Sequence, residues 1–142
     1  MKSKCGVALA GMLTAAVLAV PHTAFAKAEL PGDPNALITD QFIRDIREWL
    51  ANPVVALSIT SQNKLRKDMT QGEIDAADEQ WRAEREAEDQ PLVAAILTNP
   101  LSSYLAQVRA RSGGMYAEIF VMDAAGLNVG QSSITSDFWQ GD

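Results

Sequence analysis

Cysteine and histidine are almost missing from this sequence. It holds one of each, Cys5 and His22, and both fall within the first 26 residues. From residue 27 onward neither type occurs. For that stretch this excludes a Ser-His-Asp triad, a cysteine nucleophile, a thiolate or imidazole metal site and a disulfide. Positive charge is scarce as well. Twelve Lys and Arg residues face 18 Asp and Glu, a formal net charge of −6. No basic cluster offsets that balance, so nucleic acid and anionic membrane surfaces are not expected partners; both would be repelled. No metal and no cofactor is expected, because the acidic stretches lack the D-x-[DN]-x-[DN]-G calcium loop.

What is present begins with a leader. Lys2 and Lys4 form a basic start, residues 5–20 are a continuous run of apolar and small residues, and "AFA" at 24–26 places small residues before a cut. This is the pattern of a secretory signal peptide, with cleavage expected after Ala26. An uncleaved anchor is the alternative. The run of 16 residues is shorter than a spanning helix, and Pro21 closes it, whereas roughly 20 apolar residues are needed to cross a bilayer. Residues 1–26 are thus expected to be removed. Residues 27–142 would then form one domain, periplasmic or secreted and off the membrane.

The first part of that domain reads as helices. Asp33 can cap a helix with Pro34 in its first turn, and Ile38, Phe42, Ile46 and Trp49 recur at helical steps. Asn52-Pro53 should break it and lead to a second, shorter helix. Thr70 and Glu73 stand at capping-box spacing before "IDAADEQWRAEREAEDQ". There the carboxylates are expected to form a solvated face, with Trp81 as the anchor to the core and Asp78–Arg82 as a favourable i,i+4 pair. Leu92, Val93, Ile96 and Leu97 form a further apolar face. Asn99-Pro100 interrupts it, Leu101, Tyr104, Leu105 and Val108 continue it, and Gly113-Gly114 ends it.

The period then changes from helical to alternating. "MYAEIFVMD" puts Tyr116, Glu118, Phe120 and Met122 on one face and Ala117, Ile119 and Val121 on the other. "DAAG" supplies a turn and "LNVGQSS" a return strand. The expectation is an α+β fold: N-terminal helices packed on an antiparallel sheet of which one hairpin is present. A lone hairpin is marginal and its outer edge bare, so the sheet is expected to be incomplete. Either another chain completes it or the sequence is a truncated form.

Two stretches carry a family resemblance: "NPVVALSITSQN" and "NPLSSYLAQVRARSGGMYAEIFVMDAAGLNVGQSSITSDFWQGD". Together they resemble the extracellular Cache (PDC, PAS-like) sensor domains of bacteria, of the periplasmic single-Cache type. The densest part is "FVMDAAGLNVGQS" followed by "DFWQGD". The resemblance implies helices leading into a PAS-like sheet, and a pocket for a small carboxylate or amino acid walled by residues 133–142. The later strands of the family pattern, which supply the far wall, are missing here.

On that basis Trp139, Asp137, Phe138 and Tyr116 are the candidate ligand-binding residues. Trp139 and Phe138 offer flat apolar faces for stacking, or one of them plugs the core. Asp137 binds a ligand amine or caps a turn. Tyr116 points into a pocket or packs in the core. Tyr104 and Met122 read as packing residues. Arg109 and Arg111 pair with a carboxylate ligand or face solvent at a helix end. For catalysis only Asp, Glu, Lys, Ser and Tyr chemistry remains, and Asp123, Asp137 and Asp142 show no pair at a defined separation. A non-enzymatic binding module is expected, one that hands its signal to a partner protein. The alternative is a module that completes its sheet with another chain, or a non-functional truncated form.

Overall fold

The structure is a computed structural model and describes residues 38–141. The leader, Cys5, His22, the expected Asp33-Pro34 helix start and Asp142 lie outside the described residues. The described part is α+β. Its helices are α1 (Asp40–Leu50), α2 (Pro53–Arg66), α3 (Gln71–Glu84), α4 (Pro91–Leu97) and α5 (Pro100–Arg111), and its strands are β1 (Phe120–Met122) and β2 (Asn128–Gln131).

Each helix start has a local cause. The hydroxyl of Thr39 accepts from Phe42 N at 3.1 Å and opens α1. The two Asn-Pro pairs act as starts as much as breaks. Asn52 accepts from Val54 N and Asn99 from Ser102 N, each with proline in the first turn behind it. Helix α2 has 14 residues against 11 in α1, so it is not the shorter of the two as the sequence suggested. After Pro53 it contains no proline or glycine that would stop it before Arg66. Thr70 and Glu73 form a reciprocal capping box on α3. The bonds from Thr70, its backbone amide first, lower the pKa of the Glu73 carboxyl. Left-handed Gly113 (φ 62°) and Gly114 (φ 90°) turn the chain away after α5.

Helix α4 has no side-chain cap of its own at Gln90. A carboxylate from the end of α3 takes that role. Glu84 accepts from Leu92 N at 2.7 Å and Val93 N at 3.0 Å, while Gln90 donates to the Glu84 carbonyl. Glu84 is only 7% exposed. The expectation of a wholly solvated acidic face is therefore wrong at Glu84, and also at Asp78. Burial alone would raise the Glu84 carboxyl, but bonds from Gln80, Val93 and Leu92 outweigh it and hold its pKa below the usual value. A group whose folded pKa is depressed stabilises the fold above its unfolded pKa and loses that contribution as pH falls through the folded one. Thermal stability should thus fall on acidification below the ordinary glutamate range. Glu84→Gln should be less stable at neutral pH and show a flatter acid limb in a melting series. An unchanged acid limb would rule this role out.

The core has two parts. Ile74, Trp81, Val93, Ile96, Leu127 and Phe138 pack between α3, α4 and the chain after the hairpin. Val55, Leu101, Leu105, Ile119 and Val129 pack between α2, α5 and the hairpin. Trp81 is the expected anchor and is fully buried.

The hairpin is antiparallel, with Val121 opposite Gly130 and Met122 opposite Asn128. Val129 is thus an extra residue on β2, a bulge. Gly130 is required where α5 crosses β2: a Cβ there would lie 2.7 Å from Leu101 Cγ. The first strand is shorter than the sequence pattern suggested. It begins at Phe120, so Tyr116 lies before it, between α5 and β1. The alternation itself holds, with Ile119 buried and Phe120 38% and Met122 42% exposed. Met122 is therefore not the packing residue it was expected to be.

The outer edge of β2 is not bare. Asn128 N donates to Phe138 O at 2.9 Å and Gln140 N to Gly126 O at 2.8 Å, around an isolated bridge between Leu127 and Trp139. Farther along, Gln131 N donates to Ser102 Oγ. The open edge is that of β1, which has no strand partner but β2 among the described residues.

Candidate functional site

Three of the four candidate residues sit together in residues 135–141, and their surroundings separate their roles. Phe138 is 2% exposed. Its ring stacks on Trp81 at a centroid distance of 5.2 Å and 15° between planes, and the Arg66 guanidinium lies 5.3 Å from it on top. It is a core side chain with no face left for a ligand.

Trp139 is half-buried. Its indole N–H donates to Ala125 O at 3.0 Å, and the ring lies over the hairpin turn. Gly126 has φ 83° and leaves no room for a side chain, since a Cβ would stand 3.0 Å from Trp139 Nε1. The indole donor is therefore occupied by the turn it covers. Asp137 is half-exposed. Its carboxylate accepts from Ser136 Oγ at 2.6 Å and meets Arg82 Nη1 at 3.3 Å. Both of these partners are side chains, and one of them, Arg82, comes from α3 rather than from the turn.

What fixes the segment is a carboxylate the sequence reading left on the surface. Asp78 Oδ1 accepts from Phe138 N at 2.7 Å and Trp139 N at 3.0 Å, while Oδ2 pairs with Arg82 at 2.7 Å. The i,i+4 pair is present, and its acid also reaches across the fold. Trp81 Nε1 adds a bond to Thr135 O at 3.1 Å. Beneath lies a buried polar cluster. Asn128 Nδ2, with two hydrogens to share, lies 3.0–3.2 Å from Gln131 Oε1, Thr135 Oγ1 and Asp137 O.

Tyr116 is elsewhere. It lines a cleft of about 720 Å³ between α1 and α5. Asp45, Glu48 and Trp49 come from α1, Tyr104, Val108 and Arg111 from α5, and Met115 with Tyr116 closes one end. Two contacts set this wall. Tyr104 donates its hydroxyl to Trp49 O at 2.9 Å, and Tyr116 packs on Phe42 at a centroid distance of 5.9 Å. Arg111 lines the cleft while Arg109 does not. Its only side-chain partner among the described residues is Gln107, at 3.4 Å. The cleft thus offers aromatic surface, two carboxylates and one guanidinium.

A second hollow of about 160 Å³ lies beside the hairpin turn, lined by Asn63, Arg66, Lys67, Met69, Asp123, Ala124 and Ala125. The charges there are already paired. Arg66 reaches Asp123 Oδ2 at 2.7 Å, and Asp123 Oδ1 accepts from Ala125 N and Leu127 N. Among the described residues no group of three or more His, Cys, Asp or Glu is placed to hold a metal ion, and no helix is long and apolar enough to cross a membrane.

Sequence reasoning missed Asp78, Glu84, Arg66 and the α1 wall of the cleft. The signals were slight: each is one charged residue among several, and only the partner's position distinguishes it. Comparison with protein-family models, curated proteins and solved structures finds no match for the chain.

Proposed function

We propose that this domain is a small-molecule binding module of the Cache sensory type that its sequence resembles. It takes a small carboxylate or amino acid and passes occupancy to a signalling partner. The reading includes export, from the leader pattern of residues 1–26. The observation that carries the binding part of it is the α1–α5 cleft, which lies apart from residues 133–142, the pocket wall that the resemblance implied. Its volume of about 720 Å³ falls within the roughly 300–1,000 Å³ of small-ligand sites. Arg111 would hold a ligand carboxylate, and Asp45 or Glu48 an ammonium group. Tyr116 and Trp49 would supply the apolar walls. Of the residues first singled out, Tyr116 is the one that remains in the site, while residues 137–139 dock against α3.

The test is a thermal melt of the purified chain against a panel of amino acids and small mono- and dicarboxylates. A ligand that binds only the folded state raises the midpoint. One compound class should do so. Arg111→Ala should then weaken binding by about 1.5–3 kcal/mol, the strength of a hydrogen bond to a charged group, which is about ten- to a hundredfold in Kd. Trp139→Ala should lower the midpoint but leave the ligand shift in place. If no compound moves the melt, or if Arg111→Ala binds as well as the parent, the cleft is not the site.

A further inference from the structure

The charges that line the α1–α5 cleft are not consumed by the fold. Asp45 and Glu48 stand three residues apart on α1, so both lie on one side of that helix. Arg111 reaches the cleft from the last turn of α5. None of the three makes an ion pair among the described residues. The side-chain partners they do have are neutral: Gln41 Nε2 donates to Asp45, and Arg111 donates to Gln107 Oε1 at 3.4 Å. Two carboxylates against one guanidinium leave the cleft with an excess of one negative charge.

These charges are also spread along its length. The two helices run in opposite directions beside it. Trp49 O accepts from Tyr104 in the first half of α5, while Phe42 packs on Tyr116 beyond the end of α5. Glu48 therefore lies at the Tyr104 end and Arg111 toward the Tyr116 end, with Asp45 between them. Seven residues separate Tyr104 from Arg111, which is about 10 Å of helix. The Glu48 end is also the C-terminus of α1, where Trp49, Ala51 and Asn52 join the lining. A helix end of that polarity favours a cation.

We propose that the ligand of this cleft is a free amino acid with a cationic side chain, a diamino monocarboxylate of the L-lysine and L-ornithine class; this rests on the reading of the cleft as the binding site. Its carboxylate meets Arg111, its α-ammonium meets Asp45, and its side-chain ammonium meets Glu48 at the end of α1. Its methylenes lie against the aromatic wall of Trp49 and Tyr104. The single positive charge of such a ligand cancels the excess of the cleft. A neutral amino acid would leave Glu48 covered and without a partner, and a dicarboxylate would set like charges against each other. The net charge of the chain, −6, acts in the same direction, drawing cations to the mouth and turning anions away.

Isothermal titration calorimetry on the purified chain compares four probes. They are L-lysine, L-norleucine (which lacks the side-chain ammonium), cadaverine (lysine without its carboxylate) and glutarate. L-lysine should bind about tenfold or more tighter than each of the others, since each loses at least one charged contact. Glu48→Gln should weaken L-lysine about tenfold and leave L-norleucine unchanged, whereas Asp45→Asn should weaken both. Both side chains are exposed, and each replacement keeps the shape of the original, so the comparison does not turn on folding. L-norleucine or glutarate binding as tightly as L-lysine overturns the proposal, as does Glu48→Gln binding L-lysine like the parent. In those cases Arg111→Ala, read on whichever probe binds, still decides whether the cleft is the site. No heat from L-lysine also overturns the ligand class, and the wider melt panel then judges the cleft on its own.

Discussion

Trp81→Ala should cost about 3–5 kcal/mol of unfolding free energy, the range for deleting a large buried aromatic. That is a large part of the roughly 5–15 kcal/mol a domain has. The loss has three sources. Trp81 is fully buried, so its removal leaves a cavity. Its ring is the platform for Phe138 at 5.2 Å. Its N–H is the partner of Thr135 O at 3.1 Å, and that carbonyl would be left without it. Urea unfolding followed by circular dichroism reads the effect. Trp81→Phe separates the terms, since it keeps a stacking ring and loses the donor; it should cost clearly less. An alanine variant that melts with the parent would mean residues 135–141 are not docked there.

Arg66→Met should be the second most damaging change, at about 3–5 kcal/mol, because it leaves a buried carboxylate unpaired. The side chain of Asp123 is 1% exposed and that of Arg66 15%, at 2.7 Å from each other. The guanidinium also donates to Asn128 O at 3.3 Å and covers the Phe138 ring. The second variant that decides the cause is Asp123→Asn. An asparagine oxygen can still accept from Ala125 N and Leu127 N, but it brings no charge. Added to Arg66→Met, it should recover part of the lost stability, a negative coupling in a double-mutant cycle. If the double variant is less stable than Arg66→Met by the full cost of Asp123→Asn, the ion pair is not what matters.

How legible was this in the sequence? Local devices were readable because their partners lie within one turn. Thr70 with Glu73, both Asn-Pro pairs, the double glycine after α5 and the hairpin turn all stand where the pattern put them. Trp81 was readable as an anchor because a lone large aromatic in an acidic helix has few other uses. The boundaries were less so: the alternating pattern from Tyr116 overstated β1, since alternation continues in extended chain that pairs with nothing. Long-range partners were not legible. The spacing marks Asp78 as a partner of Arg82, but nothing near Asp78 or Glu84 foretells their reach across the fold, which depends on amides from Phe138 and Leu92. Phe138 and Trp139 showed the same limit in reverse. Adjacent aromatics look alike in sequence, and here one is stacked inside while the other lies over a glycine turn. The cleft was invisible for a related reason. It needs α1 and α5 side by side, and no motif joins them.

The ties that hold residues 135–141 have a consequence for the order of folding. Thr135 O, Phe138 N and Trp139 N are bonded to residues 54, 60 and 61 positions earlier. Closing loops of that length costs entropy before any contact is made, whereas capped helices form from neighbours in well under a millisecond. Helices α3 to α5, each packed on its neighbour in sequence, can therefore assemble while the core around Trp81 still faces water. During that interval Trp81 and Leu127 are open to the surroundings, together with the unpaired side of β2. A chain delayed at this stage presents a sticky surface to other chains. The same few residues that complete the interior are thus also what hides it.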